Sequence, residues 1–304
     1  MQVSANGVQI EVEVHGPEGG EPLLMIMGLG MQLIAWPEGL VEQLVAKGFR
    51  VIRFDNRDVG LSQPFDQLGM PNIPLAALLH TLRLPVKAPY QIADLARDAV
   101  GVLDALGIAK AHICGASMGG MIAQHLGFAH AGRVKSLTLM MTTSGQRGLP
   151  KESLKVRRAM LSRPQPAKTP EQKLENVLDH YVKLYGVIGS PGYPPEPKAL
   201  RERIARGVRR AFRPQAVARQ LVAIAADSHR AERLPRITAP TLVIHGQADA
   251  LIPVAAAHDL ARRIPGARLE LIDGWGHDLP EPLWPRLADA IAAIAAIAAV
   301  AIKP

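Results

Sequence analysis

The order of apolar and polar positions along this chain predicts strands and helices in alternation. Residues Gly7 to Val14 alternate apolar with polar, the period of a strand with one face buried, and Asn6-Gly7 just before them is a turn signal. Pro22 to Met27 (PLLMIM) and Arg50 to Phe54 (RVIRF) are short continuous apolar runs, as strands buried on both faces read. Between them, Trp36 to Lys47 carries Leu40, Val41, Leu44 and Val45 at helical spacing, and Gly48 closes it. A helix over Ile92 to Leu106 is followed by an apolar run from Ala111, a helix from Gly120 to Leu126 and a strand over Val134 to Met141. Strands return at Thr241 to His245 and Ala267 to Ile272, with a helix over Val254 to Ile264 between them. Such repetition predicts an α/β fold, a mostly parallel, doubly wound sheet covered by helices on both faces.

Two stretches break the alternation. Gln63 to Tyr90 is proline-rich with an apolar island at Leu75 to Leu82, either an excursion near the site or a long surface loop. Thr143 to Leu234 holds helical pieces, Leu174 to Leu184 and Leu200 to Phe212, with no strand signal between them, and is read as a helical cap insertion over the sheet. The predicted organisation is a core over 1–142, a cap over 143–234 and the second part of the core over 235–304.

With 304 residues, 48% hydrophobic, the chain can bury one large core. Its net charge of +8 is unevenly placed: Arg147 to Arg236 contains twenty Lys and Arg against eight Asp and Glu. No RNA- or DNA-binding motif accompanies this surplus, which argues against nucleic acid. In Arg201 to Arg213, Ile204, Val208 and Phe212 share one face, so the arginines are expected to be solvated, a positive rim for anionic substrates being the alternative. The single cysteine, Cys114, reads as a small buried residue. The N-terminus lacks a basic start followed by an apolar run, so the cytoplasm is the expected location. Ala290 to Ile302 is alanine-rich and shorter than the roughly 20 residues a membrane span needs. It predicts a final helix laid on the sheet rather than a span.

The chemistry concentrates at Gly115-Ala116-Ser117-Met118-Gly119, where a strand turns directly into a helix. Glycines two residues before and after the serine relieve the crowding of such a corner, and the hydroxyl projects above the sheet. A serine hydroxyl needs a base, usually histidine, itself oriented by a carboxylate. Two loops past the carboxyl ends of late strands supply them: Gly246 to Pro253, with Asp249, and Asp273 to Asp278, with His277. In a parallel sheet these ends share the edge where Ser117 sits. Asp278 is a rival for the acid, and His80 and His229 for the base. Trp36 and Trp275 are candidates to line the site.

The order Ser117, Asp249, His277, with the serine in a G-x-S-x-G elbow, resembles the α/β-hydrolase superfamily. The resemblance extends to Asp55 to Ser62 (D-x-R-x-x-G-x-S), Ala248 to Pro253 and Gly274 to His277. Met27-Gly28-Leu29-Gly30, Trp36-Pro37 and Asn56 to Ser62 are further similar to the bacterial esterase branch that includes aclacinomycin methylesterase. That resemblance implies hydrolysis of small or medium carboxylic esters through an acyl-enzyme, without metal or organic cofactor. It makes Ser117 the nucleophile, His277 the base and Asp249 the acid, with the N–H groups of Leu29 and Met118 as the oxyanion hole and Gly28 beside the substrate. Lactonase, C–C hydrolase and perhydrolase activities share the fold, and a receptor without turnover is the rival from another class. Many superfamily members place a histidine before the first glycine of the oxyanion loop. Here Met27 stands there, which leaves open how that loop is braced.

Overall fold

The computed structural model describes residues 1–301. Eight strands form one sheet: β1 (Gln2–Ala5), β2 (Val8–His15), β3 (Glu21–Ile26), β4 (Phe49–Phe54), β5 (Ala111–Ala116), β6 (Val134–Met140), β7 (Thr241–Gly246) and β8 (Arg268–Ile272). Their spatial order is β1-β2-β4-β3-β5-β6-β7-β8. β1 and β2 form an antiparallel hairpin whose turn residues Asn6 and Gly7 both take positive φ, 53° and 74°. β2 runs antiparallel to β4, and every later pairing is parallel. β1 escapes sequence reading because four residues are too few to establish an alternation.

Alternate side chains along the central strands explain the layers. Leu24, Ile26, Ile52, Phe54 and Ile113 enter a core shared with α3 (Ile92–Ala105), α4 (Met118–Ala129) and α9 (Ala255–Arg263). Leu23, Met25, Val51 and Cys114 point the other way, into a second core with α1 (Glu38–Ala46) and α10 (Trp284–Ala301). Each fully buried Leu or Ile of this kind stabilises by about 1.5–3 kcal/mol. α10 begins at Trp284 rather than Ala290, and Glu281–Val300 is by length and composition alone apolar enough to cross a membrane. Its Leu287, Ala288, Ile291, Ile294 and Ala295 are instead buried against the sheet and α1. Ile302, the last residue of the predicted run, lies outside the described residues.

The chain reverses direction across the sheet between β3 and β5. From β3 it moves outward to β4, then crosses back to pair β5 on the other side of β3. The loops after β3 and β5 therefore diverge over a crevice at the carboxyl edge, where open α/β sheets bind ligands.

The excursion at Gln63 to Tyr90 contains a helix, α2 (Ile73–Thr81), started by Asn72, whose side chain accepts from the Leu75 N–H. Between β6 and β7, which are neighbours, four helices intervene: α5 (Leu154–Leu161), α6 (Pro170–Ile188), α7 (Pro197–Arg210) and α8 (Pro214–Ala226). α7 ends at Arg210 because Ala211 turns extended before Pro214. The expectation that its arginines are solvated fails at this end. Arg210 donates to Asp55 Oδ2 (2.6 Å) and Arg213 to the Ser62 carbonyl (2.8 Å). In α8, Arg219 is completely buried and grips Asp58 through Nε and Nη2, at 2.5 and 2.8 Å. Burial alone would raise the Asp58 pKa, but Arg219 and the Phe65 N–H hold it below the usual carboxylate range.

Removing Arg219 strands a buried carboxylate, which typically costs about 3–5 kcal/mol. Arg219→Met is expected to lower the unfolding free energy by about that much in urea titrations, and Asp58→Asn in the same chain to recover part of it.

Candidate active site

Ser117 sits between β5 and α4 at φ 55°, ψ −120°, a conformation costly for any residue with a side chain. Its surroundings leave room for nothing larger. A Cβ on Gly119 would stand 2.0 Å from the Ile26 carbonyl, and one on Gly115 would stand 2.3 Å from the Gly119 carbonyl. Hydrogen bonds pin the corner: the Ser117 N–H donates to Met140 O (3.0 Å), and Thr142 Oγ1 donates to Ser117 O (2.7 Å).

The loops after β7 and β8 meet over this serine. Gln247 and Ala248 N–H groups donate to Ile272 O and Trp275 O, and Gly246 touches the Trp275 backbone where any Cβ would clash. His277 Nδ1 lies 2.8 Å from Asp249 Oδ2, and its Nε2 lies 3.1 Å from Ser117 Oγ. With the neutral imidazole protonated at Nδ1, that nitrogen donates to Asp249 and Nε2 accepts from the hydroxyl. Asp249 Oδ1 accepts from the Leu251 and Ile252 N–H groups, at 2.9 and 2.8 Å, which fixes the carboxylate plane.

The chain matches the family model described as alpha/beta hydrolase fold over residues 21–281. It is 33% identical, over 96% of both chains, to the rhodomycin D methylesterases DnrP of Streptomyces peucetius and DauP of Streptomyces sp. (strain C5). The chain belongs to the α/β-hydrolase fold family. Among solved structures, this α/β hydrolase superposes on a meta-cleavage product hydrolase from Pseudomonas fluorescens IP01 with a TM-score of 0.73 at 21% identity, covering 98% of each chain. An esterase from Thermogutta terrifontis superposes with a TM-score of 0.67 at 21% identity, again over 98% of each.

The rival site residues of this α/β hydrolase lie elsewhere. Asp278 is buried beside Ser190, which donates its hydroxyl to Asp278 Oδ1, and burial pushes the Asp278 carboxyl up. His80 contacts the Ala225 carbonyl and His229 contacts Glu232. Trp36 and Trp275, expected to line the site, are 0% exposed members of the core under α1 and α10. Trp36 precedes α1 in extended backbone and its indole N–H has no partner among the described residues, whereas the Trp275 indole N–H donates to Asp278 O (2.7 Å) and braces the loop after β8 from within.

Gly28 touches Ser117: a Cβ there would lie 3.0 Å from Ser117 Cβ and 3.4 Å from Oγ. Among the described residues, no protein acceptor engages the N–H groups of Leu29 or Met118. The question raised by Met27 has a structural answer. Asn56 Nδ2 donates to Met27 O (3.0 Å), and Gly30 N–H donates to Gln220 Oε1 of α8 (2.8 Å). Gly30 takes φ 66° against Val217, also of α8. Gln32 donates to the Gly207 and Ala211 carbonyls while Arg210 donates to Gln32 Oε1 and to Asp55. Asp55 in turn accepts the Leu33 N–H (2.7 Å). These braces escaped sequence reading because the contact from Gly30 to Gln220 spans 190 residues and carries no motif.

His245, at the end of β7, is wholly buried behind Asp249. Its Nε2–H donates to Ile252 O (2.8 Å), and Nε2 lies 3.4 Å from Asp249 Oδ2. Its Nδ1 has no partner among the described residues. Burial pushes its pKa below the ordinary value, more than the nearby Asp249 raises it. A group that charges more easily when unfolded takes up protons on unfolding, so its stabilising contribution is full above about pH 6.5 and falls as pH drops towards the depressed folded value. His245→Gln keeps a donor at the Nε2 position and cannot be protonated. Urea midpoints measured from about pH 7 down to about pH 5 are expected to fall less for His245→Gln than for the native chain.

Proposed function

We propose that this chain is a serine hydrolase that cleaves carboxylic esters through an acyl-enzyme, with Ser117, His277 and Asp249 as its triad. The observation that carries the reading is the pair of contacts linking Ser117 Oγ to His277 Nε2 (3.1 Å) and His277 Nδ1 to Asp249 Oδ2 (2.8 Å). Ser117 Oγ attacks the ester carbonyl carbon as His277 Nε2 takes its proton, and Asp249 stabilises the imidazolium so formed. The developing oxyanion is held by the N–H groups of Leu29 and Met118, on the loops after β3 and β5. His277 then protonates the departing alkoxide, which leaves as an alcohol. In the second half it deprotonates a water that attacks the acyl carbon and frees the acid, returning the proton to Ser117.

The relatives named as rhodomycin D methylesterases support a methyl ester of a bulky carboxylic acid as the first substrate class to assay. In this reading α5 to α8 act as a cap that excludes water and shapes the pocket. Through Gln220, α8 also holds the oxyanion loop in place.

A fluorophosphonate is expected to label Ser117 alone, as mapped by peptide mass spectrometry. Ser117→Ala is expected to lose labelling and ester turnover while keeping its circular dichroism. Turnover retained by Ser117→Ala would end the proposal. Asp249→Asn is expected to lower kcat on the order of 10⁴-fold, since the imidazole then loses the carboxylate that sets its tautomer.

Gln220→Ala is expected to lower kcat by about tenfold with KM little changed, short of the 10²–10³ lost when an oxyanion donor is removed outright. Gln220→Glu keeps an acceptor for the Gly30 N–H but loses the donor to the Arg57 carbonyl (3.3 Å), so it is expected to fall between the native chain and Gln220→Ala. Steady-state kinetics on a p-nitrophenyl ester separates the two variants.

A further inference from the structure

Helix α2 is apolar nearly all round. Ile73-Pro74-Leu75-Ala76-Ala77-Leu78-Leu79-His80-Thr81 holds no Asp, Glu, Lys or Arg, and a helix of that composition is normally enclosed by protein or by lipid. Only one side is enclosed here: Ala76 is buried, and α8 packs against the helix. Leu75, Leu78 and Leu82, at helical spacing, are 48%, 54% and 56% exposed. Leu68, Met70 and Leu84, which flank the helix, are exposed to a similar degree. A groove of about 310 Å³ beside them is lined by Leu68, Leu75, Leu79, Val86 and Val222 among others. Apolar surface of this extent marks a place of interaction.

Charge decides what covers it. Between Asp66 and Asp94 the chain has no acidic residue, while Arg83 and Lys87 are exposed beside the leucines. Asp66 itself is paired with the buried Arg219. The same combination recurs on α5, where exposed Leu154 and Leu161 stand beside Lys155 and Arg158; Arg157 is paired with Glu152, and no acid follows until Glu171. A second copy docked through α2 about a two-fold axis would set Arg83 and Lys87 against their own counterparts. A bilayer with anionic headgroups satisfies both features, its acyl boundary taking the leucines and its phosphates the cations.

We propose that the exposed face of α2, with Arg83 and Lys87, is a peripheral docking surface for membranes that carry anionic lipid. α2 and α5 belong to segments that leave the sheet past the carboxyl ends of β4 and β6, the edge at which Ser117 lies. A docked molecule thus turns its catalytic edge towards the lipid, from which apolar esters partition.

The test is flotation of the full chain with vesicles of phosphatidylcholine alone, or of equal parts phosphatidylcholine and phosphatidylglycerol. Binding is expected to the mixed vesicles only, and to weaken from low to molar salt as screening shortens its range. A triple variant, Leu75→Gln, Leu78→Gln and Leu82→Gln, is expected to lose about tenfold or more in partition, and Arg83→Gln with Lys87→Gln several-fold. Thermal melting and turnover of a soluble p-nitrophenyl ester without vesicles are expected to be unchanged in both variants, which reports an intact fold. Failure of the native chain to float with the mixed vesicles would overturn the proposal, as would equal binding by the leucine variant. So would a native dimer that the leucine substitutions dissociate, which would make the face a contact between copies.

Discussion

The corner at Ser117 depends on backbone approaching backbone more closely than any Cβ permits. Gly119 sits against the Ile26 carbonyl, Gly115 against the first turn of α4, and Gly28 against Ser117 itself. Those contacts set how near α4 can lie to β3 and β5, and hence where the hydroxyl stands above the sheet. The positive φ of Ser117 is the cost of this geometry, of order 1–3 kcal/mol, and the packing around it must exceed that cost. Gly246 and Gly276 play the same part in the last two loops, where Trp275 and Gly189 backbone atoms occupy the space of a side chain.

The reversal of the chain between β3 and β5 turns that steric arrangement into a site. Loops after both strands open over one crevice, and loops after β7 and β8 reach the same edge because all six later strands are parallel. Segments far apart in the chain thus converge without any of them being long. Polar groups then fix the convergence: Asp249 is held by the Leu251 and Ile252 N–H groups, and the loop after β3 by Asn56 below and Gln220 above.

Most of the sheet was legible in the sequence because buried parallel strands are continuous apolar runs, and PLLMIM, RVIRF and TLVIH have no other easy reading. Ser117, Asp249 and His277 were legible because each sits at a fixed place relative to a strand end. Trp36 and Trp275 stayed mere candidates because the sequence around an aromatic looks the same whether it faces a ligand or a core. α2 was missed since proline and apolar residues on every side erase a helical period. The ion pairs of Arg210 and Arg219 were hidden in a general surplus of positive charge, where nothing local distinguishes a solvated arginine from a buried one.

The segment between β6 and β7 is therefore not a detachable module. Arg219 neutralises a carboxylate of the sheet domain, Arg210 neutralises another, and Gln220 holds the loop beneath it. A chimaera that takes these helices from another hydrolase to alter selectivity would inherit Asp55 and Asp58 without their counter-ions, and a loop without its support. Residues 188–192 are tied in as well, since Ile188 O accepts the His277 N–H and Ser190 bonds both Asp278 and Gly276, so grafting is feasible only at boundaries that leave 188–192 and 207–220 in place, and the part most open to exchange is α5 and the first turns of α6.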